Sequence, residues 1–470
     1  MSNQKELTTL ALALLITGSL LGVGYWLFTR SNNINLSQTA VEGSSSSQNS
    51  TFIPPVESLI SEGEKSLIPK SIPGEKQAGL TALASGNYQE AVRKFEASLQ
   101  TNPNDPETLI YLNNARIGKE KAYTIAVAVP IGDANSLGTA EAILRGVAQA
   151  QNEINQRGGI FQTPLKVVIA DDQNNSEVAE KIAEELVKNN DILGIVGHYS
   201  SGVSLAAAPI YERGKVVAIS PSSTSVRLST AGDYLFRTVP SDRFAANRLA
   251  EYMIQELYQQ KAVIFYNSQS AYSQSLKDEF TTAVYSDGGE VVNVFDLSDP
   301  NFNAFKSLDS AREQGAGGIL IVPDSPTLEQ AYQVVRVNRK QLPILAGDTL
   351  YQLDTLKVGG DSEGVMVAVP WHILGGESEF TEEAAELWKG DVNWLTAMAY
   401  DGTQALIAGI QDQPSRSGVQ QALSASNFST EGATGVVKFL PSGDRNQTVQ
   451  LVEVKPGNRS GVGYDFVPLR

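Results

Sequence analysis

The 470-residue chain contains no cysteine and only two histidines, His198 and His372. The first absence excludes disulfides, thiolate metal sites, a cysteine nucleophile and a lipidated N-terminal cysteine. The second excludes histidine-rich metal centres and counts against histidine as a general base. Positive charge is also short: 36 Lys and Arg face 52 Asp and Glu, a net charge of -16 with a pI of about 4.7. A surface of that sign suits neither nucleic-acid phosphates nor an anionic membrane surface. No GxGxxG follows a strand pattern, and GxxxxGK[ST], HExxH and the EF-hand loop are all missing, so nucleotide and metal chemistry have no motif behind them. The nearest approach to a hydrolase elbow, His198-Tyr199-Ser200-Ser201-Gly202, lacks the first glycine of GxSxG. No cofactor and no enzymatic activity are expected.

What the chain does contain is organised in stretches. With 41% hydrophobic and 19% charged residues it is globular in composition and long enough for two or three domains. Leu7 to Phe28 is free of charge, bracketed by Lys5-Glu6 and Arg30, and ends in Tyr25-Trp26, residues suited to a membrane interface. Residues 1–30 therefore read as a single-pass anchor, with a cleaved secretory signal and a buried core helix as alternatives. Ser31 to about Gly74 is rich in Ser, Asn, Gln and Pro and reads as a flexible tether. Within residues 75–120, Gly79, Ala82, Gly86, Tyr88, Ala91, Phe95, Ser98 and Pro103 have the spacing of a tetratricopeptide-like helical hairpin. One and a half repeats cannot bury their own apolar face. The hairpin either packs on its neighbour or offers a groove to a protein partner.

From Tyr123 onward, β-branched runs alternate with amphipathic helical patterns. Tyr123 to Val129, Leu165 to Ala170, Ile192 to Val196 and Val216 to Ile219 form one strand series, and Ala262 to Tyr266, Glu290 to Phe295, Gly318 to Val322 and Pro343 to Ala346 form a second. Short αβ alternation forces right-handed crossovers, so the fold class is α/β with two Rossmann-like, doubly wound parallel sheets. Asp171 and Asp172, at a strand end before a polar loop, read as caps. Asp242 reads as the N-cap of the helix that opens the second series.

Two neighbouring strands end in hydroxyl clusters, GHYSS at 197–201 and SPSSTS at 220–225. In open αβ sheets ligands sit beyond the carboxyl ends of strands, where helix N-termini present N–H groups to an anion. The clusters can form the two halves of one carboxylate cradle, or cap a helix and shape a solvated turn; both readings stand on pattern alone.

Residues from about Tyr123 to Arg470 resemble the substrate-binding proteins of branched-chain amino acid (leucine, isoleucine, valine) ABC transporters, of the type 1 periplasmic binding fold. The resemblance is carried, in order, by EINQRGGI at 153–160, VVIADDQNN at 167–175, VGHYSS at 196–201, ISPSSTS at 219–225, FRTVPSD at 236–242 and AYSQSLKDEF at 271–280. It implies two lobes joined by a three-segment hinge, one of about 121–240 and 348–443, the other of about 241–347 and 444–470. It further implies that Ser201, Ser222 and Thr224 hold a ligand carboxylate, and that Asp242, Tyr272 and Asp299 contact the ligand from the opposite lobe, Asp299 pairing with its ammonium. Asp299 stands where a longer Glu is common, AYSQ lacks the usual Gly after Tyr, and Leu137 stands where some members carry an aromatic. The expected function is an extracytoplasmic receptor, held at the inner membrane on its periplasmic side, that captures an amino acid or similar small polar solute for an ABC permease. The alternative is a tethered sensor or scaffold that signals through a partner at the hairpin.

Overall fold

The computed structural model describes residues 54–375 and 379–469. Two sheets dominate it, each built from the expected αβ alternation. The first contains β1 (Ile60–Ser61), β2 (Tyr123–Val129), β3 (Leu165–Asp171), β4 (Ile192–Val196), β5 (Val217–Ser220) and β6 (Leu235–Arg237), in the spatial order β1-β3-β2-β4-β5-β6. β2 to β6 are parallel, and their residues are almost wholly buried, as strands covered by helices on both faces must be. The second contains β7 (Lys261–Tyr266), β8 (Glu290–Asp296), β9 (Gly318–Val322), β10 (Ile344–Ala346), β11 (Met366–Val369), β14 (Gln450–Pro456) and β15 (Tyr464–Pro468), in the order β15-β14-β11-β10-β9-β7-β8. β12 (Thr430–Gly432) and β13 (Gly435–Val437) form a separate hairpin.

The chain passes between the lobes three times. The first passage follows β6 and ends at Asp242, where the helix Asp242–Glu251 begins. The second follows β11 at Pro370, and the third precedes β14. Residues 348–369 thus belong to the second lobe, which corrects the expected boundary at 348. Its cause is β11, which pairs in parallel with β10 through Leu345–Met366 and Ala346–Val367 and holds the chain in that sheet for one strand more. The helix Trp394–Asp412 then returns to the first lobe and packs along Leu137–Gln156. Gly146 permits this contact, because a Cβ there would lie 2.2 Å from the carbonyl oxygen of Thr396.

One local expectation also shifts. Ser241 is the N-cap of the Asp242–Glu251 helix, and Asp242 is its buried first residue. After β8 a helix starts at Ala304, capped by Asn303, whose side chain accepts the Lys306 N–H at 3.0 Å.

The expected anchor, residues 1–30, lies outside the described residues, as does the first part of the tether. Among the described residues no helix is long and apolar enough to cross a membrane. The end of the tether is ordered, contrary to expectation. Val56–Leu59 forms a helical turn, and β1 adds antiparallel to the edge of the first sheet, Ile60 opposite Ala170 and Ser61 opposite Ile169. Two residues of strand carry no periodicity, so only this long-range pairing reveals them.

Helices Gly74–Ala84, Tyr88–Thr101 and Pro106–Ile117 follow. Phe95 is fully buried and lies where a Cβ on Gly79 would meet its ring at 2.6 Å, so the first two helices touch closely. Burying such a side chain contributes about 1.5–3 kcal/mol. The third helix is buried along nearly its whole length and packs on Leu137–Gln156, which makes these helices part of the first lobe's core. A buried charge cluster fixes them. Lys76 Nζ lies 2.8 Å from Asp105 and 2.7 Å from Glu107, and Glu107 also accepts the Leu67 N–H at 2.6 Å. Burial opposes the Lys76 charge, but Glu107 and Asp105 prevail and hold it above the usual lysine range.

Candidate functional site

The carboxyl ends of the central strands of both sheets face a cleft of about 660 Å³. On the first-lobe side the loops after β2, β3, β4 and β5 line it, from Asn135 and Asn174 to Tyr199, Ser200, Ser201 and Ser222. Ser201 is the first residue of the helix Ser201–Gly214 and is buried. The first turn of a helix leaves its N–H groups without helix carbonyls, and here Ser200 to Val203 line the cleft.

The six serines and one threonine of the two clusters divide by what they bond. Ser220 Oγ donates to the His198 carbonyl at 2.7 Å and accepts the Ser223 N–H at 3.0 Å. Ser223 Oγ pairs with Ser204 Oγ at 2.8 Å, and Ser225 Oγ accepts the Arg227 N–H at 3.4 Å. These three shape the turn. Ser222 Oγ donates to the Tyr199 carbonyl at 2.8 Å, and Ser201 Oγ accepts the Ser225 N–H at 3.2 Å, which leaves both at the cleft wall. Ser200 lines the same wall.

Thr224 sits one step deeper. With Ser241, Asp242, Tyr272 and Asp348 it lines a small cavity of about 10 Å³, whose remaining walls include Val239, Pro370 and Val449, one residue from each passage between the lobes. Thr224 Oγ1, Asp242 Oδ2 and Tyr272 OH are all buried there and make no hydrogen bond of good geometry, although Thr224 and Ser275 lie close enough to Asp242 to favour its charge. Buried polar atoms left in this state are costly, which makes the hinge a candidate position for a polar group. Burial pushes the Asp242 carboxyl up to about 6. Burial and then the Asp242 charge push Asp348 up to about 7. Burial, Asp348 and Asp242 together drive the Tyr272 hydroxyl well above its ordinary range.

Asp299 is not part of this site. It is exposed, its Oδ1 accepts the Asn301 N–H at 2.8 Å in a local turn, and it lines neither cavity. The reason is topological: β8 is the edge strand, so the loop after it lies beside the cleft and not over it. The loops that do reach the cleft follow β7, β9 and β10. They bring Tyr272, Asp324 and Asp348, of which the two aspartates escaped the sequence reading. Asp324 is oriented by Asn267 Nδ2 at 2.7 Å and Thr327 Oγ1 at 2.8 Å. Both acids follow apolar runs directly, in ILIVPD and PILAGD, the same strand-then-acid signal seen at Asp171-Asp172. Tyr199 was also missed; burial and the charge of Asp348 push its hydroxyl up to about 12. Leu137 packs partly into the first lobe's core, and its neighbour Gly138 lines the cleft.

The remaining polar groups nearby are structural. His198 Nδ1 lies 2.6 Å from Asp172 and its Nε2 2.8 Å from Tyr211 OH, all buried. Asp171 Oδ1 accepts the N–H groups of Gly132 and Gln173. No cluster of metal-ligating side chains occurs among the described residues.

The walls differ in charge. The first lobe contributes no charged side chain to the cleft, whereas the second contributes Asp324, Asp348, Asp354 and Lys357, the last two paired at 2.9 Å. Two hinged αβ lobes with a polar cleft at facing strand ends have the build of a solute-binding protein. Residues 122–460 match the periplasmic binding protein family, and the chain belongs to it. Membership places the described domain outside the cytoplasm. The chain is 26% identical over 312 residues to the leucine-, isoleucine-, valine-, threonine- and alanine-binding protein of Pseudomonas aeruginosa, covering 64% of this chain and 81% of that one. It is 30% identical over 155 residues to an amino acid binding protein of the same organism, covering 33% of this chain and 41% of that one. A leucine binding protein from Thermotoga maritima shares the fold with a TM-score of 0.64 at 23% identity, over 73% of this chain and 97% of that one.

Proposed function

We propose that the chain is the substrate-binding component of an ABC importer and captures an α-amino acid by lobe closure. The observation that carries this reading is the contrast between the walls. Hydroxyls and helix-start N–H groups at Ser201, Ser222 and Thr224 suit a carboxylate, while Asp324, Asp348 and Asp242 suit an ammonium within reach of the same hinge. Tyr272 closes the cavity between them, and Asp324 takes the role first expected of Asp299. The names of the relatives favour a branched-chain or small side chain.

Membrane attachment through Leu7–Phe28 and delivery to a permease belong to the same proposal. A protein partner at the helices 74–117 has less support, because their third helix is spent on the first lobe's core.

Calorimetric titration of the purified chain with branched-chain and other amino acids, amides and urea tests the proposal. An amino acid should bind, and Ser201→Ala with Thr224→Ala should weaken it by about 1.5–3 kcal/mol per charge-assisted hydrogen bond lost. Binding of urea or an amide in preference to every amino acid would refute the zwitterion reading.

A further inference from the structure

Lobes that close on a solute must be held at some resting balance between open and closed. The third passage runs through Val449, not 444, which leaves Asp444 and Arg445 with the first lobe beside Arg237 and Asp401; among the described residues one ion pair then joins the two lobes, Asp391 with Arg459. Asp391 precedes the helix Trp394–Asp412 of the first lobe, and Arg459 lies in the loop between β14 and β15 of the second. The guanidinium meets both carboxylate oxygens, Nη2 to Oδ1 at 2.9 Å and Nε to Oδ2. A two-pronged pair of this kind is the directional form of the interaction.

Both ends are anchored in rigid parts of their lobes. Asp465, on β15, accepts the N–H of Arg459 at 2.9 Å and that of Ser460 at 2.7 Å, pinning the loop to its sheet. On the other side Asn393, two residues beyond Asp391, accepts the Leu395 N–H at 3.1 Å as the helix cap and lines the ligand cleft. Two neutral side-chain contacts also join the lobes. Ser136 Oγ and Ser325 Oγ lie 3.3 Å apart, and Ser275 Oγ accepts the Val226 N–H at 3.0 Å.

We infer that Asp391 and Arg459 form a latch that biases the lobes toward closure and lengthens ligand residence. Its effect on affinity rests on the amino-acid-binding reading above, whereas the closure bias does not depend on any ligand. The pair is about half exposed, at 47% and 46%, so its loss should lower the closed-to-open ratio by about two- to fivefold. Salt should weaken it for the same reason. A solute gripped only by the closed form then loses apparent affinity in proportion to the closed fraction, through faster dissociation.

The absence of cysteine supplies a clean assay, since Lys181→Cys and Lys306→Cys place one dye on each lobe of the full chain with no competing thiol. Energy transfer should report fewer closed molecules in Arg459→Gln, and recovery in the reversed pair D391R/R459D. In the chain with the native pair, 0.5 M NaCl should reproduce the shift, with no further effect in Arg459→Gln; this arm needs no variant to fold. Identical transfer in all three chains, at both salts, overturns the latch. The readout uses no solute, so failure to bind any amino acid would leave it intact and refute the proposed function alone.

Discussion

The two walls of the cleft are built from the same kind of element, a strand running into a helix, yet they carry opposite chemistry. The first lobe offers hydroxyls and N–H groups without one charged side chain; the second offers carboxylates. A neutral wall can hold a carboxylate with little penalty when empty, because most of its groups, Thr224 apart, satisfy each other, as Ser222 does with the Tyr199 carbonyl. A carboxylate wall cannot do this, and the strain of burying it appears as the raised values of Asp242 and Asp348. Under the proposed function, the difference gives the site a polarity: anion toward the first lobe, cation toward the second.

Four experiments would break or sharpen that contrast. The largest effect is expected at the acidic wall, where Asp324→Ala strips a charged partner from a buried ammonium and should cost about 2–5 kcal/mol of affinity by calorimetry. Next comes the neutral wall: Ser201→Ala alone should cost about 1.5–3 kcal/mol, with loss concentrated on ligands that carry a carboxylate. A larger effect at Ser201 than at Asp324 would reverse the assigned polarity.

The third experiment is a pH series. Asp242 and Asp348 have folded-state values near 6 and 7, above the ordinary 3.8. Their contribution to the stability of the empty protein is therefore complete below about pH 4 and lost as pH rises through 6 and 7. Ammonium binding needs the ionised forms and runs the other way. Affinity should fall about tenfold from pH 8 to pH 6 for one proton taken up, and Asp348→Asn should flatten the profile. A profile unchanged in that variant would remove Asp348 from the site. The smallest effect is expected at Asp299→Ala, within about 0.5 kcal/mol in both stability and affinity, because its carboxylate serves only an exposed turn.

The first wall was largely legible in the sequence because its determinants are local. A β-branched run followed by GHYSS or SPSSTS states both the strand and the hydroxyls at its end, and Ser201 and Ser222 stand where that pattern put them. The second wall was legible only in part. Tyr272 opens a helix after a strand, but Asp299 and Asp324 carry the same local signal, an acid a few residues beyond an apolar strand. The boundary at 370 and the strand Ile60–Ser61 were illegible for a related reason, since each depends on a strand pairing that no local pattern states.

By itself, then, the sequence determined the alternation of strands and helices, the existence of two lobes and the hydroxyl-rich strand ends, all set by periodicity within some thirty residues. The tertiary structure decided which carboxylates face the cleft. The order β9-β7-β8 places β8 at the sheet edge and β9 near the centre, and strand order is fixed by packing between segments that no local pattern relates.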